Sequence, residues 1–296
     1  MIRVGFLVAG FKGSNFLRKF HAPCQVEFVV TYRTLRTRCN SHDEIKSICL
    51  HSGYKFLERK DISASLLDSV DLIFVAGWQY LISPVDERYI VIHDSLLPRF
   101  RGFSPTVTAL ILGEKKIGVT ALNPRSDSVD TGDIYEQSEL QIEYPLKIKD
   151  AYSLLSNLYV DVASRVLAKF KEGSLNTTPQ EASQATHSLW RDEEDYYINW
   201  EWNVEKIARF VDAVGFPYDG AKAFYKHQII YIDQVVIGQD CQFEDRQPGK
   251  IWRINQGQPE VVCASGIIHI LSSRYEDGSP VVFDRLRIRL NRRQSD

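Results

Sequence analysis

The 296-residue sequence has one methionine, only five cysteines and no long apolar run. It has no C-x-x-C pair and no histidine pair at metal-ligand spacing, so we expect reduced thiols and no structural metal. No stretch approaches the roughly 18 apolar residues of a membrane span, and the first apolar run is too short for a signal peptide. We therefore expect a soluble, unprocessed, cytoplasmic protein without a membrane partner.

An excess of charge of either sign is also missing. The chain carries 36 Lys and Arg against 38 Asp and Glu, a net charge of −2, and residues 192–195 are all acidic. A global basic field that would gather nucleic acid is therefore absent, and we expect no nucleic-acid partner.

Short apolar runs alternate with helix-like segments in the first half of the chain. The runs lie at residues 2–9, 26–31, 72–76, 90–92 and 118–122. This pattern predicts an α/β fold with a mostly parallel, Rossmann-like sheet covered by helices. Open sheets of this kind bind ligands at the carboxyl ends of their strands, where residues 10–15, residues 77–83 and His93 are expected.

A second, smaller domain is expected after a linker. Apolar residues at helical spacing over residues 149–171 predict a long amphipathic helix that closes the first domain, 1–172. Residues 173–189, rich in turn-forming residues, are predicted to be a linker. A helix at residues 204–214 and strands at residues 229–236, 250–254, 261–264, 267–271 and 286–290 then predict a barrel-like, OB-like β domain over 190–296.

A histidine and an aspartate stand in two glycine-bearing loops. His93 begins the segment HDSLLPRFRG, Asp130 begins DTGDI, and GVT lies between them at residues 118–120. A neutral imidazole can accept a proton, and a carboxylate can orient the ring, stabilise its charged form or relay the proton through water. Taken singly, each residue is better explained by a structural loop role, but the ordered set predicts an acid–base pair.

These motifs resemble the formyltransferases that use 10-formyltetrahydrofolate, in which a histidine before SLLP and an aspartate in D-x-G-x-I flank the reacting formyl carbon. The resemblance implies a formyltransferase fold, 10-formyltetrahydrofolate as formyl donor, and catalytic roles for His93 and Asp130. One position departs from the family, because its asparagine two residues before the histidine is Val91 here.

Valine cannot donate the hydrogen bond that the asparagine gives to the formyl oxygen, and losing one such donor typically costs about 10²–10³ in rate. Three interpretations remain open: another donor such as a backbone N–H or His93 replaces it, the enzyme is slow, or catalysis is lost. We favour the first, because the acid–base residues and the surrounding motifs are retained.

The resemblance also implies a pterin pocket and a phosphate contact. Backbone groups of residues 76–83 would read the pterin ring, although a core strand running into a turn is the alternative. Gly13, Ser14 and Asn15 resemble the phosphate-contacting segment of the glycinamide-ribonucleotide branch, or form an ordinary strand-to-helix turn. Arg101 is a further candidate for the acceptor's phosphates. The residues that would line the pterin pocket are Gln79, Tyr80, Leu81 and Ile82, facing Ser126, Asp127, Ser128, Val129 and Asp130.

The acceptor is predicted from the second domain and from charge. Residues 190–221 resemble the corresponding region of methionyl-tRNA and sugar-nucleotide formyltransferases, which excludes the single-domain branch as the whole answer. The low net charge and the segment GWQYL at residues 77–81 favour a nucleotide sugar. We expect a UDP- or dTDP-linked 4-amino-4,6-dideoxy sugar, with a pseudaminic acid precursor as one candidate. A methionyl-tRNA formyltransferase and a non-catalytic folate- or nucleotide-sugar-binding homologue stay as alternatives, and a homodimer is compatible with the sequence.

Overall fold

The computed structural model describes residues 1–34, 37–82 and 85–291. Its chain divides into two compact units, one of residues 1–106, 115–142 and 150–189, the other of residues 107–114, 143–149 and 190–296. The second unit therefore includes two short segments that the sequence assigned to the first domain. The expected linker 173–189 groups with the first unit.

A seven-stranded sheet forms the first unit, in the order β3-β2-β1-β4-β5-β7-β8. The first five strands in that order are parallel, and β7 and β8 are antiparallel to their neighbours. The expected mostly parallel α/β sheet is confirmed. The strands are β1 (Arg3–Val8), β2 (Gln25–Thr31), β3 (Phe56–Glu58), β4 (Leu72–Ala76), β5 (Tyr89–His93), β7 (Lys116–Leu122) and β8 (Ile134–Gln141); β6 (Arg101–Gly102) pairs separately, in parallel, with β9 (His187–Ser188).

Helices join these strands, and their ends follow local chemistry. Helix α2 begins after Asn40, whose side chain accepts the amide N–H of Asp43, and ends at Gly53 in the left-handed region. The predicted helix over residues 149–171 is confirmed as the 24-residue α5. The helices are α1 (Gly10–Lys19), α2 (Ser41–Ser52), α3 (Ala64–Leu67), α4 (Pro105–Leu112) and α5 (Ile148–Lys171).

Apolar side chains cover the sheet of the first unit. Every residue of β4 is buried, as expected for a central parallel strand with both faces covered. One cluster joins Leu7, Phe28 and Val75 with Val91 and its neighbours. Aromatic rings form another: Phe6 contacts the rings of Phe16, Phe20 and Phe74.

The second unit is built on an antiparallel five-stranded sheet, in the order β10-β11-β14-β13-β12. Helix α6 (Val204–Val214) has the predicted bounds, and the Asn203 side chain caps it by accepting the Lys206 amide at 2.9 Å. The expected β domain is confirmed, and its assignment as OB-like stays a prediction. The strands are β10 (Ala221–Tyr225), β11 (Gln228–Gly238), β12 (Ile251–Asn255), β13 (Gln258–Val262) and β14 (Ile267–Arg274).

The predicted strand at residues 286–290 is wrong, because this segment forms no regular strand and Arg287 has a φ of 64°. Instead it bridges the two edges of the sheet. Asn291 exchanges backbone hydrogen bonds with Phe224 of β10, and residues 288–290 bond to residues 249–251 at the start of β12. One segment therefore bonds to both edge strands of the sheet, and we call residues 288–291 the closing segment.

The predicted linker is also not a free connection. Thr178 exchanges backbone hydrogen bonds with Ile134 of β8, and β9 pairs with β6. Residues 178–188 therefore pack along the first unit, and we call them the strap.

Candidate active site

His93 lies at the carboxyl end of β5 and is only 7% exposed. Its Nε2 atom is 2.9 Å from the carbonyl oxygen of Phe100, and its Nδ1 atom is 3.4 Å from Oδ2 of Asp130. A carbonyl oxygen only accepts hydrogen bonds, so Nε2 carries a proton. In the neutral ring Nδ1 is therefore the basic nitrogen, and it faces a carboxylate.

Backbone geometry holds both partners of the histidine ring. Phe100 has a φ of 59° and Asp130 a φ of 56°, a region that side-chain-bearing residues seldom adopt. Oδ2 of Asp130 also accepts the Gly102 amide at 2.9 Å. The predicted acid–base pair is brought together in this structure, from two loops 37 positions apart in sequence.

A buried threonine organises the SLLP turn. The hydroxyl of Thr120 donates to the carbonyl of Ser95 at 2.7 Å and accepts the Leu97 amide at 3.1 Å. Gln137, its cross-strand partner on β8, donates to that hydroxyl and to the Leu97 carbonyl. The sequence motif GVT is thus a support for the turn that follows His93.

A buried ion pair lies directly beside His93. The carboxylate of Asp94 is 2.7 Å from Nζ of Lys12 in α1 and accepts the Thr106 hydroxyl at 2.6 Å. Burial raises the pKa of Asp94, but the Lys12 ammonium, His93 and these hydrogen bonds lower it more, so the pKa lies below its usual value. Neither Lys12 nor Asp94 was predicted from the sequence, although a lysine in the first turn of the helix after β1 was an available signal.

Val91 lies two residues before His93 on the same face of β5 and is partly buried. It packs against the buried apolar cluster that includes Leu7, Phe28 and Val75. The surroundings of the substituted position are therefore apolar, which suits valine.

The expected pterin wall follows β4 directly. Gly77 has a φ of 65°, and a Cβ there would come within 2.3 Å of the Ala9 carbonyl oxygen, so this close turn requires glycine. The Gln79 amide donates to the hydroxyl of Tyr32 at 3.1 Å. Burial raises the pKa of Tyr32 to about 12, against the lowering effect of that amide.

The remaining residues of this wall face different surroundings. The Tyr80 ring contacts the Tyr32 ring edge-on. The Arg59 guanidinium carbon lies 3.8 Å from the centroid of the Tyr80 ring. Leu81 is 82% exposed, whereas Ile82 packs against the apolar cluster. Ser83, the last residue of the expected segment, lies outside the described residues.

The second expected wall, residues 126–130, is mostly exposed. Val129 is 44% exposed, and the hydroxyl of Ser128 bonds to Thr131 and to the Asp127 carboxylate. Asn123, which precedes this segment, donates to the Asp86 carbonyl at 3.3 Å.

The residues expected to bind phosphate do not lie in a strand-to-helix turn. Gly13, Ser14 and Asn15 lie inside α1 and are buried. The Gly13 amide donates to Ala9, the Ser14 hydroxyl to Phe11, and the Asn15 side chain accepts from Arg18. Their role in phosphate binding stays a prediction, and Lys12 is the residue of this helix that contacts the His93 segment.

Arg101 is buried, and its guanidinium donates from Nε and Nη2 to the side-chain oxygen of Gln180 in the strap. The described structure therefore uses this arginine to attach the strap. Gln180 was not singled out from the sequence, since a glutamine in a turn-rich segment gives no local signal.

In residues 1–34, 37–82 and 85–291, no three His, Cys, Asp or Glu side chains gather as a metal ion would require. No helix of the same ranges is both long and apolar enough to cross a bilayer.

Comparison with known proteins gives matches on both units. The family model described as formyl transferase matches residues 45–167, and the model of the formyl transferase C-terminal domain matches residues 191–285. The chain is 31% identical over 160 residues to a methionyl-tRNA formyltransferase of Carboxydothermus hydrogenoformans, which covers 54% of this chain and 50% of that protein. It is 25% identical over 248 residues to the enzyme of that name from Caldanaerobacter subterraneus subsp. tengcongensis, covering 80% and 79%.

Among solved structures, the chain is similar to WlaRD, a sugar 3N-formyl transferase crystallised in the presence of dTDP and 5-N-formyl-THF. The TM-score is 0.63 with 16% identity, over 91% of this chain and 97% of that one. This likeness shows a common fold. Because the amino-terminal and the C-terminal models of one family both match, the chain belongs to the formyl transferase family.

Proposed function

We propose that this protein transfers the formyl group of 10-formyltetrahydrofolate to the amine of a nucleotide-linked amino sugar. The observation that carries the proposal is which ring nitrogen of His93 holds the proton. Its Nε2–H is held by the Phe100 carbonyl, which leaves Nδ1 as the basic nitrogen beside the Asp130 carboxylate. A base in this arrangement suits proton removal from an attacking amine.

The donor fits the turn after β4. The backbone groups of Tyr80, Leu81 and Ile82 make no hydrogen bond to any other described residue, so they are free to bind the edge of a planar heterocycle. Bound there, the folate would supply the activated formyl group.

The chain's own residues would then handle the proton. As the acceptor nitrogen bonds to the formyl carbon, Nδ1 of His93 would take its proton, and Asp130 would stabilise the resulting imidazolium. The imidazolium would then return the proton to N10 of the folate as the bond between N10 and the formyl carbon breaks. The Gly102 amide keeps the Asp130 carboxylate in place. Thr120 and Gln137 fix the SLLP turn, so that the Phe100 carbonyl stays on Nε2.

Charge and relatives support a sugar nucleotide as acceptor. A net charge of −2 and the acidic residues 192–195 do not favour transfer RNA. The similar fold of WlaRD, whose name is sugar 3N-formyl transferase, adds weight, while the methionyl-tRNA formyltransferase relatives keep that acceptor as the second candidate. Within the sugar class, we propose a UDP- or dTDP-linked 4-amino-4,6-dideoxy sugar.

Release of tetrahydrofolate from 10-formyltetrahydrofolate tests the proposal. The acceptors are UDP- and dTDP-linked 3-amino and 4-amino deoxysugars, and initiator methionyl-tRNA at low and high salt. We expect turnover with an amino sugar nucleotide, loss of it in His93→Ala, and normal turnover in His21→Ala, which changes an exposed histidine. If only methionyl-tRNA is formylated, the acceptor is transfer RNA and the proposed sugar nucleotide is wrong. Folate binding without turnover of any acceptor would indicate a non-catalytic homologue.

A further inference from the structure

Gln180 in the strap joins the two loops that carry the catalytic pair. Its side-chain oxygen accepts two hydrogen bonds from Arg101, at 3.0 and 2.7 Å. Its side-chain nitrogen donates to the carbonyl oxygens of Asp130 and Gly132, at 2.8 and 2.7 Å. All the hydrogen-bonding capacity of this amide is thus used between the first loop and the second.

These hydrogen bonds fix the position of Asp130. Asp130 has a positive φ, so its backbone needs outside support, and its carbonyl receives that support from Gln180. Its carboxylate is held by the amide of Gly102, the residue that follows Arg101. Gln180 therefore contacts the backbone of Asp130 and the side chain of Arg101, whose neighbour Gly102 donates to the Asp130 carboxylate.

The rest of the strap supports the other partner of His93. The Phe100 amide donates to the Thr186 hydroxyl at 2.9 Å, and the Arg101 amide to the Thr186 carbonyl at 2.9 Å. The Phe103 amide donates to the Ser188 carbonyl at 3.0 Å. The turn whose carbonyl binds Nε2 of His93 is thus attached to the same segment as Asp130.

We propose that Gln180 is a positioning residue for the His93–Asp130 pair, acting from a segment outside the catalytic loops. Its amide sets the location of the Asp130 carboxylate relative to Nδ1 of His93. The proposal rests on the proposed formyl transfer for its kinetic consequence, but its structural consequence at His93 is independent of any substrate.

Two variants separate the two sides of the amide. Gln180→Met keeps a side chain of similar length but loses all four hydrogen bonds. Gln180→Glu keeps an oxygen for Arg101 but loses the donors to Asp130 and Gly132. Because the Asp130 side carries the proposed effect, we expect both to lower kcat by about tenfold to 10²-fold, as misplacement of a catalytic group by an ångström does. KM for the folate donor should change little.

The control is Gln184→Met, in the same strap, where the side chain is exposed and makes no hydrogen bond to another described residue. A double-mutant cycle with Asp130→Asn, measured in single turnovers with excess enzyme, tests the route of the effect. Once the Asp130 charge is gone, Gln180→Met should cost less than about a quarter of its effect in the wild type. Equal losses in both backgrounds, or a melting temperature that alone explains the loss, would overturn the proposal.

A readout without turnover separates this proposal from the proposed function. In protein with ¹⁵N-labelled histidine, the ring nitrogen signals of His93, assigned with His93→Ala, should shift in Gln180→Met and stay unchanged in Gln184→Met. Unchanged His93 signals in Gln180→Met would overturn the positioning role, whatever the substrate. Shifted signals together with no formyl transfer to any acceptor would support the positioning role and reject the function.

Discussion

One oxygen of Asp130 serves two residues: Oδ2 lies 3.4 Å from Nδ1 of His93 and accepts the Gly102 amide at 2.9 Å. The shorter contact is with the Gly102 amide, so the carboxylate is anchored to the first loop. Gain of a proton at Nδ1 would turn the longer contact into a charge-assisted hydrogen bond. The acid is therefore placed to stabilise the protonated ring.

Removing the charge of Asp130 should slow proton transfer without displacing the loop. In Asp130→Asn the amide oxygen can still accept from Gly102, but the imidazolium loses its counter-charge. We expect kcat to fall by about 10²-fold or more, the usual contribution of acid–base catalysis, in steady-state donor consumption. Asp71→Asn, which changes a surface partner of Arg3, should keep full activity. Equal activity in Asp130→Asn and wild type would contradict the assignment.

Val91→Asn tests how the family's missing amide is replaced. If the site lacked a donor for the formyl oxygen, adding one would raise kcat by about 10²–10³. We expect no such gain, because we favour the interpretation that another donor serves the formyl oxygen, and because the new amide would pack against the apolar cluster of Leu7, Phe28 and Val75. An amide without a partner there should lower the free energy of unfolding by roughly 1 kcal/mol.

The same measurements on Val91→Ala separate the amide from the loss of packing. A large rise in kcat confined to Val91→Asn would mean that the natural enzyme is slow for want of this group.

Much of the first unit could be predicted because its signals are local. The apolar runs of β1, β4 and β5 and the periodicity of α5 report burial directly, and His93 and Asp130 stand in recognisable motifs. Lys12 and Gln180 could not be found in this way. Their partners, Asp94 and Arg101, are 82 and 79 residues distant in sequence, so only the folded chain shows the contact.

The second unit shows the opposite failure, a local signal without the expected structure. Residues 286–290 alternate apolar and charged side chains as a strand does, but Arg287 adopts a left-handed φ and the segment crosses between two sheet edges. Alternation reports which side chains are buried, and Leu290 is indeed buried while Leu286 is 53% exposed. It does not report whether a partner strand runs alongside.

The Lys12–Asp94 pair should make stability depend on pH. The pKa of Asp94 is lowered in the folded protein, so its charge stabilises the fold above the unfolded carboxyl's pKa of about 3.9, and this contribution is lost as the pH falls through the folded value. At pH 7, Asp94→Asn should lower the free energy of unfolding by roughly 3 kcal/mol, the lower end for breaking a buried pair, since Lys12 remains partly exposed.

Urea unfolding at a series of pH values checks this difference, and the gap between the two proteins should begin to narrow as the pH falls below about 4. Replacing Lys12 as well, in Lys12→Met with Asp94→Asn, should recover part of the loss because no unpaired charge is left. A gap that stays constant down to acid pH would show that the charge of Asp94 is not what stabilises the fold.

Gly249 tests the closure of the C-terminal sheet. Its φ is 84°, and a Cβ there would lie 2.7 Å from the Leu290 carbonyl oxygen, while its own carbonyl accepts the Leu290 amide at 2.8 Å. Gly249→Ala therefore adds a left-handed penalty of about 1–2 kcal/mol and pushes the closing segment away. Gly257→Ala is the matched control, because Gly257 has a φ of 80° with nothing within 4 Å of the added methyl.

Buried thiols report where the resulting loss occurs. Burial raises the pKa of both Cys263 and Cys49 to about 12, so each should react with a thiol reagent only when its surroundings open. Cys263 follows Val262, whose carbonyl accepts the Gly249 amide, whereas Cys49 lies in α2 of the first unit. In Gly249→Ala, labelling of Cys263 should accelerate beyond the rate in Gly257→Ala while labelling of Cys49 stays at the wild-type rate, because the strained contact belongs to the closing segment alone. Equal acceleration in the two glycine variants would mean that the backbone conformation, and not contact with Leu290, accounts for the cost.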